Sequence, residues 1–120
     1  MRQQSFQALA NGGFHRVAYT DWGQVDNPHV VVCVHGLARN SRDFDYLAAA
    51  LTPECRVVCM DVAGRGESDW LDNKGQYTFS TYQSDAAAML ARASAPAGNR
   101  SPNGELRIDW VGTSMGGLIG

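Results

Sequence analysis

Residues 112–116 read GTSMG and fit the pattern G-x-S-x-G. The run LRIDWV at 106–111 before it predicts a strand, and the run MGGLI at 115–119 predicts the start of a helix. A sharp strand-to-helix turn lifts a serine out of a sheet, so Ser114 is a candidate nucleophile. The residues two before and two after that serine must be small, or their side chains would collide across the turn. Both positions are glycines, Gly112 and Gly116.

Four further segments predict strands that precede this turn. The runs at 29–34 and 55–60 are apolar on both faces and rich in β-branched residues, which is typical of buried parallel strands. Upstream, segments 5–10 and 16–22 are short and partly alternating. The NGG at 11–13 between them supplies the positive φ of a tight turn, so the pair predicts an antiparallel hairpin.

Segments with apolar residues at helical spacing lie between the predicted parallel strands. Ser41 is a candidate N-cap, the pattern runs to Leu51, and Pro53 ends it. A second helix is predicted over 78–93, and the Pro, Gly, Asn and Ser content of 94–104 predicts a surface loop. Strands that alternate with helices in this way predict an α/β fold with a mostly parallel sheet, right-handed crossovers and helices on both faces.

Two backbone N–H groups are candidates for stabilising an oxyanion near Ser114. Gly36 lets the chain turn sharply after a predicted strand, so that the N–H of Leu37 points toward the site. The N–H of Met115, at the start of the next helix, is the second candidate donor. We interpret His35 as a strand-end imidazole that holds this loop by hydrogen bonding, in preference to a general base.

The glycine-rich loop at 61–68 reads DVAGRGES. It lacks the third glycine of G-x-G-x-x-G and the lysine of a P-loop, which argues against nucleotide binding. We therefore expect Asp61 and the glycines to shape a tight connection beside the site. His15 and His29 are predicted at the surface, and the acidic residues lack the spacing of a metal site. The sequence predicts neither a metal nor a cofactor.

Composition restricts the class of protein further. The chain has 120 residues, enough for one small domain, a net charge of −2 and no basic run, which argues against a nucleic-acid partner. Three cysteines without framework spacing predict buried thiols in a reducing compartment. The N-terminal residues lack the apolar segment of a signal peptide, and no run approaches the ~20 apolar residues of a membrane span, so we predict a cytoplasmic location.

Segments 30–37, 61–68 and 109–119 together resemble the α/β-hydrolase fold superfamily. They match, in order, its His-Gly loop after strand three, its D-x-x-G-x-G-x-S loop after strand four and its nucleophile elbow after strand five. The resemblance implies an α/β-hydrolase-type sheet with an N-terminal antiparallel hairpin. It also implies Ser114 as nucleophile. Serine at this position argues against the haloalkane dehalogenase and epoxide hydrolase branches, which use aspartate there.

The resemblance further implies that residues 1–120 form the N-terminal part of a single α/β-hydrolase domain, truncated after strand five and the elbow. The family order is Ser, then Asp or Glu, then His, so the acid, the base and the lid are expected beyond Gly120. The implied reaction is acyl transfer through an acyl-enzyme on a small-molecule ester, lactone or thioester, with residues 1–120 inactive alone. Two alternatives stay open: a non-catalytic binding protein of this fold, and an acyltransferase. The oligomeric state is not predicted.

Overall fold

The computed structural model describes residues 1–10, 13–72, 74–98 and 106–120. Its strands are β1 (Arg2–Ala10), β2 (Gly13–Trp22), β3 (His29–Val34), β4 (Arg56–Met60) and β5 (Arg107–Gly112). Its α-helices are α1 (Asp45–Leu51), α2 (Phe79–Gly98) and α3 (Met115–Ile119), with short 3-10 helices at Ser41–Phe44 and Lys74–Gln76. Within these described ranges, no helix combines the length and the apolar character needed to cross a membrane.

The described strands form a five-stranded sheet in the order β1-β2-β4-β3-β5. Strands β4, β3 and β5 are parallel, whereas β2 is antiparallel to β4 and to β1. The fold class is therefore confirmed as α/β with an N-terminal antiparallel hairpin. The hairpin strands are longer than the sequence predicts, because they pair continuously from Arg2 with Asp21 to Ala10 with Gly13. Residues 11–12 of the predicted turn lie outside the described residues.

The core lies on both faces of the sheet. On one face, Met60 and Val32 pack with Met89 of α2 and Ile119 of α3. On the other face, Phe44 and residues of α1 cover a cluster that includes two cysteines of neighbouring strands, Cys33 and Cys59. All three cysteines are buried and free, as the sequence predicts. Because β3 and β4 are covered on both faces, they hold the central strand ends in fixed positions.

Two helix boundaries differ from the sequence prediction. Helix α2 continues to Gly98, although a loop was predicted from Ser94. The alanines of this segment have the highest helix propensity, and Pro96 in the final turn removes only one intrahelical hydrogen bond. The remainder of the predicted loop, residues 99–104, lies outside the described residues.

The N-cap before α1 also differs from the prediction. The side chain of Asn40, not that of Ser41, accepts the capping hydrogen bond, which the N–H of Arg42 donates over 2.9 Å. The N–H of Ser41 donates instead to the carboxylate of Asp61 over 2.7 Å. The N–H of Ser41, the first residue of the 3-10 helix, thus has its acceptor twenty residues along the chain.

Candidate active site

Ser114 lies in the turn between β5 and α3, with φ 52° and ψ −116°. It is the one non-glycine residue with positive φ within the described part of the chain. A conformation of this kind costs on the order of 1–3 kcal/mol and is concentrated at functional sites. The side chain is exposed, and the flanking backbone is fixed because the N–H of Thr113 donates to the carbonyl of Val34 over 3.1 Å.

Both glycines of the motif lie so close to other backbone atoms that a side chain would not fit at either position. A Cβ at Gly112 would overlap the backbone of Gly116 and Gly117 across the turn. A Cβ at Gly116 would overlap the carbonyl group of Val34 at the end of β3. The turn is therefore packed directly against the end of the neighbouring strand, where Val34 pairs with Gly112.

The loop after β3 lies beside the serine. A Cβ added at Gly36 would lie 3.5 Å from the Cβ of Ser114 and 3.6 Å from the carbonyl oxygen of Thr113. Leu37 follows directly, with its side chain exposed. Met115 is the first residue of α3, and the first N–H groups of a helix have no intrahelical acceptor. The structure thus brings together the segments of Leu37, Ser114 and Met115. The oxyanion-hole roles of the two N–H groups stay predictions.

His35 is fully buried and has both ring nitrogens engaged. Its Nδ1 lies 2.6 Å from the carbonyl oxygen of Gly36, and its Nε2 accepts from the N–H of Val62 over 3.0 Å. A carbonyl only accepts and an amide N–H only donates, so the ring is neutral with its proton on Nδ1. Burial lowers the pKa of His35, which favours this neutral form. A ring bonded in this way has no nitrogen left to accept a proton from Ser114.

The bond from His35 also orients a neighbouring N–H group. The carbonyl of Gly36 and the N–H of Leu37 belong to one peptide unit and, in a trans peptide, point in opposite directions. The N–H of Arg39 donates to the same carbonyl over 3.2 Å. By fixing the carbonyl on one side, His35 fixes the direction of the Leu37 N–H on the other.

Asp61 ties the loop after β4 to the loop after β3. Its buried carboxylate accepts from the N–H of Ser41 over 2.7 Å and from the N–H of Glu67 over 3.1 Å. Gly66 has φ +52°, and a Cβ there would overlap this carboxylate. The side chain of Ser68 donates to the carbonyl of Asp61 over 2.6 Å, which closes the turn. Asp61 thus organises the loop geometry around the site.

The other two histidines lie away from Ser114. His29 starts β3, roughly 17 Å along the strand from its end, and bonds Asp109 over 2.7 Å. His15 was predicted at the surface, and this prediction is wrong: it is 5% exposed and lies 2.8 Å from Asp85. Strand alternation places His15 on the face that packs against α2, which the local sequence does not reveal.

Burial raises the pKa of Asp85, and the hydrogen bond from His15 acts in the opposite direction. Neither residue contacts the turn at Ser114 through the bonds described. Among the residues that the structure describes, no group of three or more His, Cys, Asp or Glu side chains is arranged to hold a metal ion.

Sequence reasoning missed Arg65, which lies between two glycines in the loop after β4. Its Nε donates to the carbonyl oxygen of Leu37 over 2.9 Å. The two neighbouring glycines have positive φ, at +81° for Gly64 and +52° for Gly66. The pattern G-R-G predicts a turn but not the direction of its arginine, because that direction depends on a loop 28 residues upstream.

Comparison with known proteins agrees with this geometry. Residues 26–120 match the model of the family described as serine aminopeptidase, S33. The chain is 47% identical over 114 residues to the 3-hydroxybutyrate-oligomer hydrolase of Cupriavidus necator, covering 95% of this chain and 36% of that protein.

Solved structures show the same fold. The chain superposes on the crystal structure of a protein from Rickettsia typhi with a TM-score of 0.84 and 28% identity, covering 99% of this chain and 41% of that one. An α/β hydrolase from Novosphingobium aromaticivorans gives a TM-score of 0.77 and 32% identity, covering 98% of this chain and 37% of that one. The chain thus spans less than half the length of each of these three proteins.

Proposed function

Because the chain belongs to the serine aminopeptidase S33 family, whose members share the α/β-hydrolase fold, we propose that it carries the nucleophile and the oxyanion hole of a serine hydrolase. Ser114 is the nucleophile, and the N–H groups of Leu37 and Met115 are the oxyanion donors. The observation that carries this proposal is the backbone of Ser114, at φ 52°, in an exposed turn beside Gly36. Strain of this kind requires compensation and is characteristic of the nucleophile elbow.

The reaction proceeds by acyl transfer. The Oγ of Ser114 attacks the carbonyl carbon of the substrate while a base takes the hydroxyl proton, and the carbonyl oxygen becomes an oxyanion. Collapse of this intermediate breaks the bond to the leaving group, which takes the proton from the protonated base, and forms an acyl-enzyme. Water then attacks the acyl-enzyme while the base takes a proton from it. The base passes this proton to the serine oxygen as the acid leaves, which restores the serine hydroxyl.

The base and its carboxylate partner are proposed to lie C-terminal to Gly120, in a longer gene product. Two observations support this. Each of the three histidines of the chain is hydrogen-bonded to a group other than Ser114. The relative from Cupriavidus necator matches over 36% of its own length. Residues 1–120 then constitute the N-terminal part of one domain, and we expect them to be inactive alone, because a serine without a base is a poor nucleophile.

The proposed substrate is a carboxylic ester of a short hydroxy acid. The support is the relative named a 3-hydroxybutyrate-oligomer hydrolase, which shares 47% identity over 95% of this chain. Such oligomers are joined by ester bonds between small acids, which suit acyl transfer to a serine. Lactones and thioesters contain the same electrophilic carbonyl and are the substrates to compare.

Labelling with a fluorophosphonate tests the nucleophile. The full gene product that contains this sequence is labelled as the wild type, as Ser114→Ala and as Ser84→Ala, whose serine is exposed on α2. We expect Ser114→Ala to abolish labelling and to lower kcat by about 10⁴-fold to 10⁶-fold. Ser84→Ala is the matched control and should label like the wild type. Labelling that persists in Ser114→Ala contradicts the proposal.

Product analysis distinguishes the ester hydrolase from an acyltransferase, and labelling distinguishes both from a binding protein. Hydrolysis of the linear 3-hydroxybutyrate dimer to the monomer supports the ester substrate. Transfer of the acyl group to an added alcohol in preference to water indicates an acyltransferase. Absence of labelling in the folded wild type indicates a binding protein of the same fold, because fold alone does not determine activity.

A further inference from the structure

We propose that Arg65 is a positioning residue that fixes the backbone of Leu37 for catalysis; this rests on the proposed function, in which the N–H of Leu37 stabilises the oxyanion. Leu37 is 63% exposed, so packing does little to hold it. The position of its N–H therefore depends on what holds the peptide units on each side of it.

Two side chains hold these two peptide units. His35 bonds the carbonyl of Gly36, which belongs to the unit that contains the Leu37 N–H. The Nε of Arg65 donates to the carbonyl of Leu37, which belongs to the next unit, over 2.9 Å. The φ and ψ angles of Leu37 are the rotations between these two planes. Fixing both carbonyls therefore restricts both angles.

Arg65 is itself held by three other contacts. Its Nη1 donates to the carbonyl of Ala63 over 2.8 Å and to the hydroxyl of Tyr82 over 3.0 Å. Its guanidinium carbon lies 5.3 Å from the centre of the Tyr82 ring, within the range of a cation–π contact. Tyr82 is buried on α2, so Arg65 connects the loop of Leu37 to the packed core.

The planar guanidinium suits this task better than an ammonium group. Its donors point in fixed directions, so Nε and Nη1 reach Leu37, Ala63 and Tyr82 simultaneously. Lysine offers a single flexible point charge and can satisfy only part of this set. The effect on rate follows because an oxyanion donor acts in the transition state, where small displacements are costly.

The test compares Arg65→Gln and Arg65→Lys with Arg42→Gln in the full gene product. Arg42 is the matched control, since it pairs with Asp45 over 2.7 Å at the surface. Active sites are titrated with the fluorophosphonate, so that kcat refers to folded enzyme only. We expect Arg65→Gln to lower kcat by about 10-fold to 100-fold with KM changed less than about twofold. Arg65→Lys should recover part of the loss, and Arg42→Gln should behave like the wild type.

A kcat within about twofold of the wild type in Arg65→Gln overturns the proposal. If that variant does not fold, the amide exchange of Arg65→Lys decides, because the lysine can make only part of the contacts of Arg65. Amide hydrogen exchange over residues 36–39 gives a readout that does not depend on activity. If the wild type is neither labelled nor active, the proposed function has failed, and faster exchange of these amides in Arg65→Gln still supports the positioning role. Unchanged exchange overturns it.

Discussion

Strands β3 and β5 are parallel neighbours that end side by side at the candidate site, yet their burial differs completely. Every residue of β3 after His29 is buried, whereas no residue of β5 is buried. Strand β3 lies between β4 and β5, while β5 is at the edge of the sheet within the described residues. Neighbouring strands of similar length thus have different environments because of their place in the sheet.

Both strands hold the serine turn in place, although they differ in burial. The turn follows the less buried strand, β5, whose Trp110 donates from Nε1 to the carbonyl of Gly116 over 3.0 Å, and it also contacts the end of β3. The N–H of Thr113 donates to Val34, and Gly116 lies against the same carbonyl group. The conformation of Ser114 therefore depends on β3 as well as on β5.

The largest effect is expected from closing the gap between α3 and β3. In Gly116→Ala the new Cβ would overlap the backbone carbonyl of Val34, and a backbone cannot rotate away as a side chain can. We expect a loss of about 3 kcal/mol in the free energy of unfolding, or failure to fold. Urea unfolding of the full gene product measures the change.

Gly117→Ala is the matched control for that substitution. Its Cβ would lie 3.5 Å from the carbonyl oxygen of Gly112, which is ordinary contact. The higher helix propensity of alanine should make this variant neutral or more stable by up to about 1 kcal/mol. Equal losses in the two variants would show that the contact with β3 is not what requires Gly116.

The different burial of β3 and β5 predicts a smaller effect, which concerns the loss of stability when one side chain in each strand is truncated. Val32 of β3 is 1% exposed, whereas Ile108 of β5 is 39% exposed. From the contacts within residues 1–120 alone, Val32→Ala should cost about 2–3 kcal/mol in unfolding free energy and Ile108→Ala less than about 1 kcal/mol, because only the buried side chain leaves a cavity. Urea unfolding of the full gene product tests whether the proposed C-terminal part of the domain covers β5: a cost of Ile108→Ala well above about 1 kcal/mol supports this, and a cost below about 1 kcal/mol contradicts it.

The sequence predicted the parts of the fold that local patterns determine. The β-branched runs of β3 and β4 and the G-x-S-x-G turn each carry their signal within a few residues. The α/β class and the position of the turn between β5 and α3 are confirmed. The proximity of Gly36 to Ser114 follows from the same logic, since parallel strands end at one edge of a sheet.

The remaining features depend on contacts between distant segments. The burial of His15 requires its pairing with Asp85, seventy residues away. The bond from Arg65 to Leu37 requires the relative placement of two loops. The exposure of β5 depends on which strands flank it, and its own residues do not specify this. Sequence patterns give no direct signal for any of these three.

The loops after β3 and β5 also differ in their response to pH, which gives the smallest expected effect. The loop after β3 contains the buried His35, whereas residues 113–115 after β5 contain no group that titrates near neutral pH. Burial lowers the pKa of His35 from its ordinary value of 6.5, against the opposing influence of the Gly36 carbonyl and of Asp61. Protonation would also place a second N–H against the N–H of Val62.

The sign of the pH dependence follows from proton uptake. In the unfolded chain His35 takes up a proton near pH 6.5, whereas in the native protein it does so only at lower pH. The unfolded state therefore binds more protons in the interval between these two pKa values. The contribution of His35 to stability is complete above pH 6.5 and is lost as the pH falls through the native pKa.

His35→Gln isolates this contribution, because a glutamine amide can donate to Gly36 and accept from Val62 but does not titrate in this range. We expect the free energy of unfolding of the wild type to fall more steeply below about pH 6.5 than that of the variant. Urea unfolding across this range measures both slopes. The raised pKa of Asp85 acts equally in both proteins and cancels in the difference. Identical slopes would mean that His35 takes up its proton at the same pH in the native loop as in the unfolded chain, so that burial does not favour the neutral ring.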